Sequence, residues 1–235
     1  IDGAVHHELP QRWLDFLDRW DPTHWPHRGD ANGSVAPQSL SELLASPGVT
    51  EHSTLRSRFG FLAIHGGGLE QMTDVIAERT ADAADASVYV VRHPDHYPHH
   101  LSSAAYRTDE SELLAEFLDH VHVVVSLHGY GRIGRSTQLL AGGGNRALAA
   151  HLAHHVSVPG YQVITDLDAI PRELRGLHPA NPVNRARDGG VQLELTPRVR
   201  GVSPRSAMPG DDGLSPATSA LVTGLTAAAR SWPQT

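Results

Sequence analysis

The chain contains no cysteine and no lysine, so all 19 of its cationic side chains are arginine. Without cysteine there is no disulfide framework, thiol nucleophile, iron–sulfur cluster or cysteine zinc site. Without lysine there is no Schiff-base chemistry and no Walker-A phosphate loop. Long apolar runs are also missing: nothing approaches the roughly 18 residues that a membrane span needs. Acids outnumber cations by 26 to 19, for a formal net charge of −7. What is plentiful is histidine, with 17 residues in 235. Any hydrolytic or metal chemistry must therefore draw on His, Asp, Glu and Arg. With 40% hydrophobic and 19% charged residues, the composition is that of a globular protein long enough to bury a substantial core.

Charge is spread unevenly. Between His128 and Arg205 stand ten arginines and only five acids, inside a chain that is acidic as a whole. Such a basic segment suits an anionic ligand; the plain alternative is arginines scattered over a solvated face. Neither nucleic acid nor a membrane is expected as a partner. The chain opens at Ile1 without Met, as a trimmed or processed terminus would, and no signal peptide is read in it.

Residues 1–50 read as an N-terminal extension. They hold an amphipathic stretch around Trp13, Leu14, Phe16, Leu17 and Trp20, a loop rich in Pro, Gly and His, and a short helical signal from Ser39 to Ala45. From Phe59 the pattern changes. Residues 61–64, 88–91, 121–127, 161–164 and 191–195 read as strands, several being Val-rich runs of the kind covered on both faces. Helical periodicity lies at 69–84, 109–119, 145–155 and 216–230. This alternation predicts a single α/β domain over 1–235, with helices on both sides of a mixed, largely parallel central sheet in three α/β/α layers. Its core spans 59–200, and a C-terminal helix covers 214–231.

In such sheets ligands gather at the carboxyl ends of the strands. Two strands end in the same dipeptide: 61–64 runs into His65-Gly66-Gly67-Gly68-Leu69-Glu70, and 121–127 runs into His128-Gly129. This places two imidazoles at one edge, with Glu70 at the start of the next helix able to turn back toward them. Two His and one carboxylate form the protein ligand set of a catalytic zinc, whose fourth position stays open. For either His alone, a bond to a backbone carbonyl would explain it equally. Glu194 interrupts the apolar run 191–195, where a carboxylate is costly to bury unless paired. Aimed at the carboxyl edge, it is a candidate general base; under simple alternation it would face solvent with Gln192. Arg185, Arg187, Arg198 and Arg200 bracket Glu194, and a guanidinium fork can grip a carboxylate bidentately.

These segments, together with Ser126-Leu127-His128-Gly129, Gly142-Gly143-Gly144-Asn145, Asn184-Arg185 and 190–195 followed by Arg200, resemble the phage-type poly-γ-glutamate hydrolases in order and spacing. The likeness runs from Phe59 to Arg200. It implies a zinc carboxypeptidase-like fold, one Zn²⁺ per chain and hydrolysis of the γ-glutamyl amide bonds of an anionic polymer. On the matching positions it implies His65, Glu70 and His128 as metal ligands and Glu194 as the catalytic base. It also implies Asn184, Arg185, Arg200 and His100 as substrate-binding residues, His100 through His100-Leu101-Ser102-Ser103, which stands where the family carries His-Ile-Thr-Ser. The family continues after the glutamate with Pro-Gly-Thr, where this chain has Gln71-Met72-Thr73. Action outside the cell is compatible with the resemblance, which leaves the compartment open. Alternatives are a zinc amidohydrolase or peptidase acting on another substrate, and a non-catalytic module that binds metal or polyanion.

Two rival motifs lack their companions. His65-Gly66-Gly67-Gly68 also looks like the oxyanion-hole motif of lipases, but no Gly-x-Ser-x-Gly elbow occurs. Gly129-Tyr130-Gly131-Arg132-Ile133-Gly134 fits the dinucleotide fingerprint, but no acid follows at about 20 residues. Two histidine clusters stand outside these motifs. His93, His96, His99 and His100 read as a polar loop, and His151, His154 and His155 read as a helix face; either could hold a second metal ion.

Overall fold

In a computed structural model, which describes residues 36–97 and 99–233, the apolar runs become a seven-stranded mixed sheet. Its strands are β1 (Thr50–Thr54), β2 (Phe59–Gly67), β3 (Ser87–His93), β4 (Val123–Gly129), β5 (Gln138–Ala141), β6 (Gln162–Ile164) and β7 (Gly190–Leu195), in the order β1-β3-β2-β4-β7-β5-β6. The central four, β3-β2-β4-β7, are parallel. The edge strand β1 is antiparallel to β3, and β5 pairs antiparallel to β7 while carrying β6 parallel to itself. The sheet is thus mixed and largely parallel, as expected. Two strands were not expected. Thr50–Thr54 is polar throughout, because an edge strand has little to bury, and Gln138–Ala141 is too short to show a period.

Among the described residues, five helices cover the sheet: α1 (Leu40–Leu44), α2 (Thr73–Ala84), α3 (Glu112–His120), α4 (Arg146–His155) and α5 (Pro216–Ser231). Side chains alternate between the two faces, and each face has its own core. Phe59, Phe61 and Ala63 of β2 and Val123, Val125 and Leu127 of β4 pack with Ile76 and Ala81 of α2, Leu148 and Leu152 of α4, and Leu221 and Leu225 of α5. Leu62 and Ile64 of β2 and Val124 of β4 pack on the other face with Leu40 and Leu43 of α1 and Leu114 and Phe117 of α3. This is the three-layer arrangement. Local chemistry starts the helices where the sequence signals them. Ser111 accepts the Leu114 N–H at 3.0 Å, and Ser215 accepts that of Thr218 with Pro216 in the first turn.

The amphipathic stretch around Trp13 to Trp20 lies outside the described residues, whereas the helical signal near residue 40 is α1, whose Leu40 and Leu43 are buried. The connections fix where a ligand can sit. From β2 the chain passes through α2 to β3 on one side, then crosses through α3 on the opposite face to β4 on the other side. The carboxyl ends of β2 and β4 therefore flank a crevice at a topological switch point.

Candidate metal centre and active site

His65 stands at the end of β2, where pairing with β3 slips: Ala63 faces Val90, but Gly66 faces Arg92. One extra residue on β2 makes a bulge, which re-aims the side chains around it. Strict alternation would send His65 to the face of α2 with Ala63. The bulge turns it instead toward the α3 face, where its ring meets Tyr106 at 5.8 Å and His128 at 5.1 Å. The glycine run after it is dictated by crowding. Gly67 has φ +68, and a Cβ there would lie 2.3 Å from the carbonyl oxygen of His93.

Glu70 is not at the start of α2, as the sequence suggested, but in a turn ahead of it. Its N–H donates to the His65 carbonyl at 2.7 Å, and the helix begins only at Thr73, after Met72 at φ +74. That turn folds the carboxylate back over the crevice. Glu70 Oε1 lies 3.0 Å from His65 Nδ1, and Oε2 lies 3.4 Å from His128 Nδ1 while accepting the Gly129 N–H at 2.8 Å. One ligand atom from each of His65, Glu70 and His128 lies within 4.8 Å of the others, and no other such group of three occurs among the described residues.

The donor set fits a metal cation. His65 Nε2 is 3.0 Å from the Leu101 carbonyl, which can only accept, so the ring donates there and a neutral His65 presents its Nδ1 lone pair to Glu70. A lone pair facing a carboxylate needs a proton or a metal ion between them. His128 is held similarly, with Nε2 2.9 Å from Ser126 Oγ and Nδ1 toward Glu70. Partners on the far ring nitrogen are what fix metal-ligating histidines. Burial pushes the Glu70 carboxyl up, but the charges and hydrogen bonds of His65 and His128 outweigh it and hold it well below the usual range. Burial pushes His128 down, but Glu70 and Glu194 outweigh that and raise it.

Glu194 sits opposite His128 in the parallel β4–β7 ladder, on the same face of the sheet, and is 3% exposed. Simple alternation places Gln192 on that face too, yet the face is buried rather than solvated. Gln192 Nε2 donates to Glu194 Oε1 at 2.8 Å and is itself oriented by Asn181 Nδ2, which donates to Gln192 Oε1 at 2.8 Å. Burial pushes the Glu194 carboxyl up to about 7, with Glu70 adding to the rise and His128, Gln192 and Arg200 opposing it. A base poised near the working pH is what proton transfer requires.

Arg200 is also buried, 6% exposed. Its Nε donates to the Leu195 carbonyl at 3.2 Å and its Nη1 to the Gln71 carbonyl, which ties the turn carrying Glu70 to the strand carrying Glu194. Nη2 lies against Gly129 with no hydrogen-bond partner among the described residues, and a Cβ at position 129 would stand 2.9 Å from the guanidinium. Desolvation lowers the Arg200 pKa to about 10, against the pull of Glu70 and Glu194.

The His100 ring packs against that of His65, with centroids 4.3 Å apart and planes inclined by 49°; its Nε2 is 4.0 Å from Glu70 Oε1, and 56% of its side chain is exposed. It lines the mouth of the crevice. Arg185 is exposed and donates to Thr108 Oγ1 at 3.0 Å. The Asn184 amide is committed to the backbone: Oδ1 accepts the Gly144 N–H at 2.9 Å, and Nδ2 donates to the carbonyls of Gly176 and His178 at 2.7 and 3.0 Å. It braces two loops against each other. Sequence reasoning missed Ser126, Gln192 and Asn181. The first two stand two residues before His128 and Glu194, and period-2 geometry puts them on the same face, so that spacing was the available signal. Asn181 comes from a distant loop and had none. The dinucleotide rival also fails in space, because β4 and its glycines lead into β5 rather than a helix.

An α/β sheet that gathers two histidines, a glutamate and a buried second glutamate at the carboxyl ends of its strands offers the donor set of a candidate metal centre. The chain belongs to the poly-gamma-glutamate hydrolase family, whose model matches residues 38–203. It is 27% identical over 172 residues to the UPF0714 protein YndL of Bacillus subtilis (strain 168), a match that covers 69% of this chain and 64% of that protein. It therefore spans less than two thirds of that relative's length. Its fold is similar to that of a bacteriophage poly-gamma-glutamate hydrolase, with a TM-score of 0.63 at 21% identity over 80% of this chain and 91% of the other. It is likewise similar to zinc-free YndL, with a TM-score of 0.62 at 20% identity over 82% of this chain and 94% of the other. No helix among the described residues is long and apolar enough to cross a membrane.

Proposed function

We propose that this chain is a zinc-dependent hydrolase that cleaves γ-glutamyl amide bonds of poly-γ-glutamate. The observation that carries the reading is the convergence of His65 Nδ1, His128 Nδ1 and the Glu70 carboxylate in one crevice, with Glu194 across the ladder from His128. The family and the hydrolase name of its bacteriophage relative support the substrate, as does the excess of arginine around Glu194.

His65, Glu70 and His128 would hold the ion, which supplies Lewis acidity for the amide carbonyl and for water. Glu194 accepts a proton from the attacking water at a carboxylate oxygen. As the carbon–oxygen bond forms and the carbon–nitrogen bond breaks, Glu194 returns that proton to the departing nitrogen. Gln192 keeps Glu194 Oε1 oriented through both transfers. A cation held by these ligands would favour the ionised form of Glu194, in which it serves as a base at neutral pH. Arg200 Nη2 and the exposed Arg185 hold free carboxylates of the polymer, and His100 at the mouth hydrogen-bonds the chain as it enters.

The test is chain-length analysis of poly-γ-glutamate incubated with the protein, with and without a chelator, alongside zinc content before and after. Shortened polymer without chelator, intact polymer with it and recovery on adding Zn²⁺ are expected. Unshortened polymer under all conditions from protein that carries zinc would reject the substrate. Cleavage unaffected by complete metal removal would reject the metal.

A further inference from the structure

The histidines of α4 form a second cluster that the catalytic reading does not use. His151 and His155 are one helical turn apart, so their side chains share a face. Their rings lie 4.5 Å apart and inclined by 56°. Both Nε2 atoms converge on one hydroxyl from the end of α5: Ser231 Oγ is 3.2 Å from His151 Nε2 and 3.0 Å from His155 Nε2. His151 Nε2 is also 3.0 Å from the Ala228 carbonyl. His154, exposed, adds a third imidazole with its ring 4.9 Å from that of His155. Helices α4 and α5 pack on the face of the sheet opposite the one from which His128 and Glu194 project, so this cluster is separate from the catalytic crevice.

We propose that His151 and His155, with Ser231 and the Ala228 carbonyl, form a second site for a divalent transition-metal ion, linking α4 to the C-terminal end of α5. The donors are two imidazole nitrogens, one hydroxyl oxygen and one carbonyl oxygen, with no carboxylate among them. Imidazole suits Ni²⁺, Cu²⁺ and Zn²⁺, whereas Mg²⁺ and Ca²⁺ seek carboxylate-rich oxygen sites. Without metal, Ser231 Oγ donates to the Ala227 carbonyl at 2.7 Å, and the two imidazoles point their Nε2–H groups at its lone pairs. Moving each ring proton from Nε2 to Nδ1 leaves two nitrogen lone pairs converging where Ser231 Oγ now stands, with no net change in protonation, and an ion taking that place requires the Ser231 hydroxyl to swing back to ligand distance.

Trp232 supplies a reporter, because its ring stands edge-on to His151 at 5.1 Å, within reach of quenching by paramagnetic Ni²⁺. The experiment titrates Ni²⁺ into the full chain, loaded with Zn²⁺, and follows tryptophan emission together with bound nickel by equilibrium dialysis. One saturable equivalent beyond the zinc is expected, with partial quenching and a raised unfolding temperature. Trp232→Phe should bind alike but lose that quenching, which separates it from emission of Trp13, Trp20 and Trp25. His65→Ala should keep the nickel equivalent. His151→Ala and His155→Ala should each weaken it by at least about tenfold. Should His151→Ala fail to fold, His155→Ala decides alone. Absence of a saturable equivalent, or its survival at parent affinity in His155→Ala, would overturn the proposal.

Discussion

Replacing Glu194 with glutamine should trade activity for stability, and the two effects can be sized separately. Glutamine is isosteric and keeps an oxygen to accept from Gln192 Nε2, which donates to Glu194 Oε1 at 2.8 Å. What disappears is the proton acceptor, so kcat should fall by about 10²- to 10⁴-fold, which is about 2.7–5.5 kcal/mol of barrier. Stability should move the other way. Burial raises the Glu194 carboxyl from 4.5 to about 7 in the metal-free fold, so its charged form is disfavoured there relative to the unfolded chain. A raised carboxyl contributes fully below its unfolded value near 4.5, and that contribution is lost as pH rises through about 7. At pH 8 the ionised group therefore costs on the order of 3 kcal/mol against a neutral isostere. For a domain of this size each kcal/mol shifts Tm by about 2–4 °C. Thermal unfolding in chelator should show Glu194→Gln melting several degrees above the parent at pH 8, with the gap closing toward pH 4. Bound Zn²⁺ should shrink the gap at pH 8 by favouring the carboxylate. Polymer cleavage at the parent rate would refute the base, and a gap independent of pH would refute the burial argument.

Other substitutions test the scaffold around the ligands. Ser126→Ala removes the partner of His128 Nε2 at 2.9 Å and should weaken zinc binding by about 10- to 100-fold, read by competition with a chromogenic chelator; unchanged affinity would show that Ser126 does not orient the ring. Gly67→Ala puts a methyl group 2.3 Å from the His93 carbonyl oxygen at φ +68, and urea unfolding should show a loss of more than about 1 kcal/mol together with reduced metal content. A fully stable Gly67→Ala protein would mean that the turn tolerates rearrangement. Because arginine contacts to a polyanion are electrostatic, KM for poly-γ-glutamate should rise with ionic strength, and less steeply in Arg185→Ala; a salt-independent KM would leave the exposed arginine without its assigned ligand.

The sequence alone determined the ingredients. Strand and helix alternate because apolar periodicity is local, and Val-rich runs bounded by glycine announce buried parallel strands without reference to the rest of the chain. The two His-Gly strand ends, the intervening Glu70 and the intrusive Glu194 were legible for the same reason. The edge strand Thr50–Thr54 left no trace, since a polar strand is defined by its partner β3 rather than by its own pattern. Only the tertiary structure decided which atoms meet. A one-residue bulge turned His65 onto the face of His128, and a turn closing at Met72 folded Glu70 between them. Strands far apart in sequence had to pair in register before Glu194 could stand opposite His128. Residue chemistry is carried by each side chain, whereas distance and desolvation belong to the packed ensemble of strands. Those two quantities lift the Glu194 carboxyl to about 7 and hold that of Glu70 low.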